Sequence, residues 1–149
     1  MIIKFKKLHE DAIIPQYQTK GAAGFDFHAI EDIIDIEEGD YFLAKTGLAV
    51  EIPEGYELQI RSRSGLALKQ GIIVLNAPGT VDSDYRGEIG IILYKVPEVI
   101  RNHNYILNLK KGDRIAQGVI CKVEQPTIEV VEELTETQRG VGGFGSTGK

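Results

Sequence analysis

The segment Val74-Leu75-Asn76-Ala77-Pro78-Gly79-Thr80-Val81-Asp82-Ser83-Asp84-Tyr85-Arg86-Gly87 places an amide, two carboxylates, a phenol and a guanidinium close together. Apolar runs at 72–75 and 89–93 flank it and turn formers fill it, a pattern that predicts a long β-hairpin with an elaborated tip. A tip exposes its side chains, so Asn76, Asp82, Asp84, Tyr85 and Arg86 present more hydrogen-bonding chemistry than a simple connection needs. Asn, Asp and Gly are also ordinary turn residues, and a plain solvated turn is the competing reading.

Chemistry suited to anions appears in three further places. Residues 64–71 read as a short helix, with Ser64 placed to cap its start and Gly71 to end it in a left-handed conformation. Arg61 and Arg63 stand just before that start, where free backbone N–H groups favour an anion; a capped helix with solvent-facing arginines is the bland alternative. The segment around Gln117 is the second place. The third is the tail, polar over 132–139 and glycine-rich over 140–149, in which Arg139 precedes and Ser146 and Thr147 follow the single aromatic, Phe144. Glycines let backbone N–H groups approach a phosphate, although the Gly-Lys-Ser/Thr order of a P-loop is absent. Composition alone would make the tail a flexible linker, but an aromatic has no work in one. Together these pieces suggest a nucleotide site, with the base at the hairpin and phosphates spread along the rest.

The elements that must position these groups are strands. Short apolar runs separated by turn signals predict an all-β sandwich or barrel. Strands are expected at 2–6, 24–28, 33–36, 41–45, 48–51, 56–61, 72–75, 88–94, 105–109, 115–123 and 128–131. Pro53-Glu54-Gly55 and Lys110-Lys111-Gly112-Asp113 read as compact hairpin turns. At 149 residues the chain suits one domain, read as a core over 1–131 and an arm over 132–149 that is disordered when free. A net charge of −5 gives no general attraction to nucleic acid or to an anionic membrane surface, so any phosphate binding is local. The lone Cys121 reads as a small buried hydrophobe, and there is no Cys/His cluster for structural zinc. The N-terminal segment has no signal-peptide pattern and no apolar run reaches spanning length, so the cytoplasm is the expected compartment.

Five motifs, spread over nearly the whole chain, resemble those of the trimeric dUTP diphosphatases (dUTPases). They are Ala23-Gly24-Phe25-Asp26-Phe27; Arg63-Ser64-Gly65-Leu66-Ala67; Asn76 with Val81-Asp82-Ser83-Asp84-Tyr85-Arg86-Gly87; Gly112-Asp113-Arg114-Ile115-Ala116-Gln117; and Arg139-Gly140 with Gly142-Gly143-Phe144-Gly145-Ser146-Thr147-Gly148. The resemblance implies a jelly-roll-like distorted β-barrel with one short helix and a flexible arm. It implies a homotrimer whose three active sites are shared between subunits, and hydrolysis of dUTP to dUMP and pyrophosphate with Mg²⁺. The phosphate motifs would come from one subunit, the uracil hairpin from a second and the closing tail from a third.

Carried over residue by residue, the resemblance makes Asp82 the general base that activates water against the α-phosphorus. Gln117 would contact the α-phosphate or that water. Arg63, Ser64 and Gly65 would bind the β-phosphate region, and Asn76 would read the uracil edge. Tyr85 would lie under the deoxyribose and exclude a 2′-hydroxyl. Arg139, Gly145, Ser146 and Thr147 would hold the γ-phosphate end while Phe144 stacks on the base. Mg²⁺ would ride on the triphosphate, with Asp26 reaching it through water only; a structural aspartate bracing the first motif is the equal alternative.

Two departures stand out: Ser62 occupies a position where the family often has proline, and residues 95–104 match no familiar pattern and read as a surface loop. His9, His28 and His103 read as solvated. A dCTP deaminase, which shares the fold, would need a carboxylate at the position of Ile92 and tends to carry Trp where Tyr85 stands. A non-catalytic nucleotide-binding trimer would have no use for Asp82.

Overall fold

Alternation decides which face is buried in strands such as Phe25–His28, Tyr56–Arg61 and Gly90–Lys95. In Phe25–His28 the two phenylalanines are buried, while Asp26 and His28 point the other way. The computed structural model describes residues 1–97, 107–143 and 145. It contains β1 (Lys4–Lys7), β2 (Phe25–His28), β3 (Ile33–Ile36), β4 (Tyr41–Lys45), β5 (Leu48–Glu51) and β6 (Tyr56–Arg61). There follow α1 (Ser64–Gln70), β7 (Ile72–Val74), β8 (Gly79–Val81), β9 (Gly90–Lys95), β10 (Leu107–Leu109) and β11 (Arg114–Lys122).

All the strand pairs are antiparallel, in the orders β2-β11-β6-β8, β4-β9-β7, β1-β5 and β10-β3. Among the described residues, no strand pairs with its immediate neighbour in sequence. Phe27, Leu48, Leu58, Ile72, Ile91 and Leu93 are fully buried between these layers. Phe5, Phe25 and Phe27 meet edge to face, and Tyr17 adds a fourth ring against Phe25 at 5.4 Å. The opposite face of β4-β9-β7 is apolar as well. Tyr41 and Ile73 flank Tyr94, Leu43 lies opposite Ile92, and Tyr41 and Leu43 are 71% and 60% exposed.

Several expectations need correction. The two flanking runs do pair, as β7 with β9, but the segment between them is more than a tip: Gly79–Val81 leaves to pair with β6. The 53–55 and 110–113 segments do turn, with Tyr56 N donating to the Pro53 carbonyl and Asp113 N to that of Lys110. They are not hairpins, because each joins strands of different sheets. Residues 128–131 carry no strand, and Ile128 and Val130 are almost fully exposed. Ser64 is the first helical residue rather than the cap; Arg63 occupies the cap position without a side-chain bond to the helix start, and Gly71 closes the helix at φ 64° as expected. No helix among the described residues is long and apolar enough to cross a membrane.

Candidate active site

Three of the motifs meet at one end of the four-stranded sheet. Gln117 on β11 stands directly opposite Asp26 on β2 and Arg61 on β6, so the three side chains form a row on one face. Arg63 follows β6 and folds back over this row. Its Nε donates to Asp26 Oδ1 at 2.9 Å and its Nη1 to the Arg114 carbonyl at 2.7 Å. Arg114 Nη1 lies 3.2 Å from the other Asp26 oxygen. Two guanidiniums thus share one carboxylate, leaving a net positive, pre-oriented corner. A guanidinium has five N–H donors, and Arg63 commits two of them to the protein. The corner suits a polyanion.

Gln117 Nε2 donates to the Ser62 carbonyl at 2.9 Å, and Ser62 Oγ accepts from Val74 N at 2.8 Å. The serine that stands where the family often has proline therefore ties the turn before Arg63 to the first hairpin strand. Ser64 and Gly65, at the exposed start of α1, lie beside this corner. His28, next but one to Asp26 on the same face, is half-buried with Nδ1 shielded from water. Burial lowers its pKa most; Arg114 and Arg63 push the same way and Asp26 opposes them. It is not the solvated histidine expected from sequence, whereas His9 does sit in an exposed turn, its Nδ1 accepting from Asp11 N.

The hairpin builds a second feature. A cleft of about 50 Å³ opens between β7, β8 and β9 over Ile60, with Asn76, Gly79 and Ile92 among its walls. The Ala77–Pro78 peptide is cis. A side chain at Gly79 would lie 3.2 Å from Asn76 Nδ2, so the glycine leaves the amide its place. Beyond the cleft, Tyr85 N donates to the Asp82 carbonyl, and Arg86 Nη1 bonds the carbonyls of Ser83 and Tyr85. The half-exposed Tyr85 lies over Gly87, where any Cβ would collide with its ring, and its hydroxyl donates to the Glu88 carbonyl at 2.9 Å.

Asp82 opens onto a separate groove of about 710 Å³ with Tyr56, Glu57, Asp84, Arg86 and Val123. Its position relative to Gln117 follows from register. Asp82 comes one residue after Val81, which pairs with Leu58, whereas Gln117 pairs with Arg61 on the other side of β6. The two are therefore about 13 Å apart along β6 and about 10 Å across it, on the order of 16 Å in all. Neither side chain spans that gap, so one chain does not bring Asp82 and Gln117 to one phosphorus.

The tail is only partly described. Arg139 Nε donates to the Gly142 carbonyl inside its own turn, and Gly145 adopts φ 85°. Phe144, Ser146, Thr147 and His103 lie outside the described residues. Cys121 is half-buried rather than buried, with its sulfur 3.6 Å from Arg61 Nη2. Arg114 and Glu88 received no role from sequence; for Arg114 the signal was its place in a motif, three residues before Gln117. No group of three or more His, Cys, Asp or Glu among the described residues is placed to hold a metal ion, and both Asp26 oxygens already face guanidiniums. This donor set does not fit a metal ion bound by the protein alone.

A cationic corner, a small cleft walled by an amide and a separately placed carboxylate are what the first four motifs share out along the chain. A model of the dUTPase family matches residues 10–148. The deoxyuridine 5'-triphosphate nucleotidohydrolase of Nautilia profundicola is 59% identical over 149 residues, covering 100% of both chains. That of Wolinella succinogenes is 54% identical, covering 100% of this chain and 95% of its own. Among solved structures, the Staphylococcus bacteriophage 80alpha dUTPase with dUPNHPP aligns over 99% of both chains with a TM-score of 0.85 at 29% identity. With matches that run from the first motif to the last, in sequence and in fold, the chain belongs to the dUTPase family.

Proposed function

We propose that the protein hydrolyses dUTP to dUMP and pyrophosphate, keeping uracil out of DNA and supplying dUMP for thymidylate synthesis. The observation that carries this reading is the full-length match to nucleotidohydrolases of deoxyuridine triphosphate; an Asp82 carboxylate open to a groove beside the hairpin supports it. In the reaction a water oxygen bonds to the α-phosphorus, the bond to the α–β bridging oxygen breaks, and the water's proton passes to the Asp82 carboxylate. A carboxylate is a weak base, but fixed geometry lets modest basicity suffice. Gln117 orients the α-phosphate or the attacking water, and Arg63 with Ser64 and Gly65 holds the β-phosphate region.

Asn76 reads the uracil edge in the cleft, and Tyr85 closes the space below the deoxyribose. A mismatched base would leave buried polar groups unpaired, at a cost of several kcal/mol, on the order of a thousandfold in rate. Bound to the triphosphate rather than to the protein alone, Mg²⁺ would supply charge to offset that developing on the phosphates. Asp26 lies near it through water at most, since its carboxylate braces Arg63 and Arg114.

The working unit is a homotrimer of jelly-roll-like barrels with shared sites. The distance between Asp82 and Gln117 within one chain supports sharing, and the apolar outer face around Tyr41, Leu43 and Tyr94 supports association. Residues 1–131 form the core and residues 132–149 the arm, in which Arg139, Gly145, Ser146 and Thr147 close on the γ-phosphate and Phe144 on the base. The enzyme serves the cytoplasmic nucleotide pool. Deamination of dCTP is disfavoured by Ile92, an apolar wall of the cleft where that chemistry needs a carboxylate.

The test is pyrophosphate release from dUTP, dCTP, dTTP and UTP with Mg²⁺, for the wild type and Asp82→Asn. Release from dUTP, reduced by at least about a hundredfold in the variant while dUTP still binds, is the expected result. Tight binding of dUTP without release by the wild type would leave a nucleotide-binding protein instead.

A further inference from the structure

Excluding a 2′-hydroxyl by lack of room demands a wall that does not yield. Tyr85 by itself is a poor wall: it stands on a turn, is 45% exposed, and that turn is closed mainly by its own groups, Tyr85 N to Asp82 and Arg86 Nη1 to Ser83 and Tyr85. A partly exposed ring on such a turn would swing aside for a slightly larger sugar at small cost.

The structure ties it down through the peptide that joins Glu88 to Ile89. Glu88 uses both ends: its backbone carbonyl accepts the Tyr85 hydroxyl at 2.9 Å, and its carboxylate Oε1 accepts Gly47 N–H at 2.8 Å. Gly47 belongs to a fixed corner of the core. It adopts φ 65°, and a Cβ there would lie 2.9 Å from His9 Cβ and 3.0 Å from Ala12 Cβ. Its carbonyl accepts Leu8 N, and the neighbouring Thr46, 1% exposed, donates its hydroxyl to the Ile89 carbonyl at 2.6 Å. Ile89 N in turn donates to Leu48. The peptide whose carbonyl accepts the Tyr85 O–H is thus held to the buried 46–48 corner twice, by its own Ile89 N–H to the Leu48 carbonyl and by Gly47 N–H to the Glu88 carboxylate.

We infer that Glu88 is a positioning residue for sugar discrimination: by fixing the Tyr85 ring to the core it sets how strongly the enzyme prefers dUTP to UTP. This rests on the proposed dUTP hydrolysis, with Tyr85 beneath the sugar. Glu88 touches neither substrate nor water in this scheme. A hydrogen bond held on a preorganised partner is stiffer than one made by a free side chain, and discrimination follows that stiffness.

The experiment measures kcat/KM for dUTP and for UTP in the wild type, Glu88→Ala, Glu88→Gln and Tyr85→Phe. Glu88→Ala removes the carboxylate tie and leaves that of Ile89 N–H to Leu48, and is expected to narrow the dUTP/UTP ratio by about three- to tenfold, mainly by raising turnover of UTP. Glu88→Gln keeps an acceptor for Gly47 and should retain the wild-type ratio. If Glu88→Ala does not fold, Tyr85→Phe releases the ring from that peptide altogether and should narrow the ratio by at least as much. A wild-type ratio in whichever of the two cut variants is measured overturns the inference, as does equal narrowing in Glu88→Gln and Glu88→Ala. A wild type inert towards dUTP would instead sink the proposed activity, and the inference with it, so the two failures are told apart by the wild type alone.

Discussion

Arg63 Nε lies 2.9 Å from Asp26 Oδ1, an ion pair whose side chains are only 23% and 16% exposed. The same carboxylate receives Arg114, so one aspartate sets the aim of two guanidiniums. Asp26→Ala leaves both without their partner in a partly buried corner. The expected cost is about 1–3 kcal/mol by urea denaturation, with KM for dUTP raised about tenfold and kcat changed less. An unchanged KM would mean that Arg63 keeps its aim without Asp26.

Gly24 lies against β11. A Cβ there would fall 2.9 Å from the Gly118 carbonyl oxygen, 3.1 Å from Val119 Cγ2 and 3.4 Å from Gln117 Oε1. Backbone cannot yield as a side-chain tip can, so Gly24→Ala should push β2 from β11 and lower stability by about 1–3 kcal/mol. Because Gln117 adjoins the displaced Gly118 on β11, kcat should drop as well. A thermal melt and a turnover assay on the same sample check both effects.

His28 should give stability a slope with pH. Its folded pKa is held below the ordinary 6.5, chiefly by burial, so the unfolded chain binds the proton more readily. Stability is then full above about pH 6.5 and declines as pH falls towards the folded value, below which the penalty is constant. Asp11, Asp32 and Glu51 act lower on the scale. Bonds to Lys111 or Lys4 lower their pKa values, so their contributions are present at neutral pH and fade only below about pH 4. Melting curves from pH 8 to pH 5 should show a fall that His28→Asn removes; a fall that survives the substitution would assign it to other groups.

The proposed sharing of sites between chains predicts complementation. Asp82→Asn and Arg63→Ala should each be inactive alone. Unfolded together in equal amounts and refolded, they should recover about a quarter of wild-type activity, because that fraction of sites draws Asp82 from one variant and Arg63 from the other. Persistent inactivity of the mixture would place both groups of a site on the same chain.

Ending the chain after residue 138 removes Arg139 and everything beyond it. The core should keep its melting temperature, since its last strand closes at Lys122. Loss of the proposed closing arm should lower kcat/KM for dUTP by about a hundredfold. A truncated protein as active as the full chain would leave the arm without a role in catalysis.

Much of the fold was legible wherever one residue in two is buried. Phe25 and Phe27 announced β2, and Gly71 marked the end of α1 as its left-handed φ requires. Two misreadings share a cause. Gly79–Val81 was hidden among turn formers because its partner, β6, lies some twenty positions earlier. Residues 128–131 have the alternation of a strand but find no edge to pair with, and alternation without an edge is not a strand. For the site, the types and order of Asp26, Arg63 and Gln117 were readable, while their convergence depends on the registers of β2, β6 and β11. Glu88 was invisible for a related reason: its partner Gly47 stands 41 positions away.

The sheet orders also fix how this chain must reach its native state. Since no described strand pairs with its immediate successor, no two-stranded ribbon with a tight turn can form early and template the rest. β2 waits for β11 and β1 for β5, each after a long stretch of chain has been closed. Folding should accordingly be slow, in the millisecond-to-second range typical of such topologies, leaving apolar strands such as β9 and β11 unpaired in the interval. For newly made chains that interval, rather than equilibrium stability, is when aggregation competes with folding.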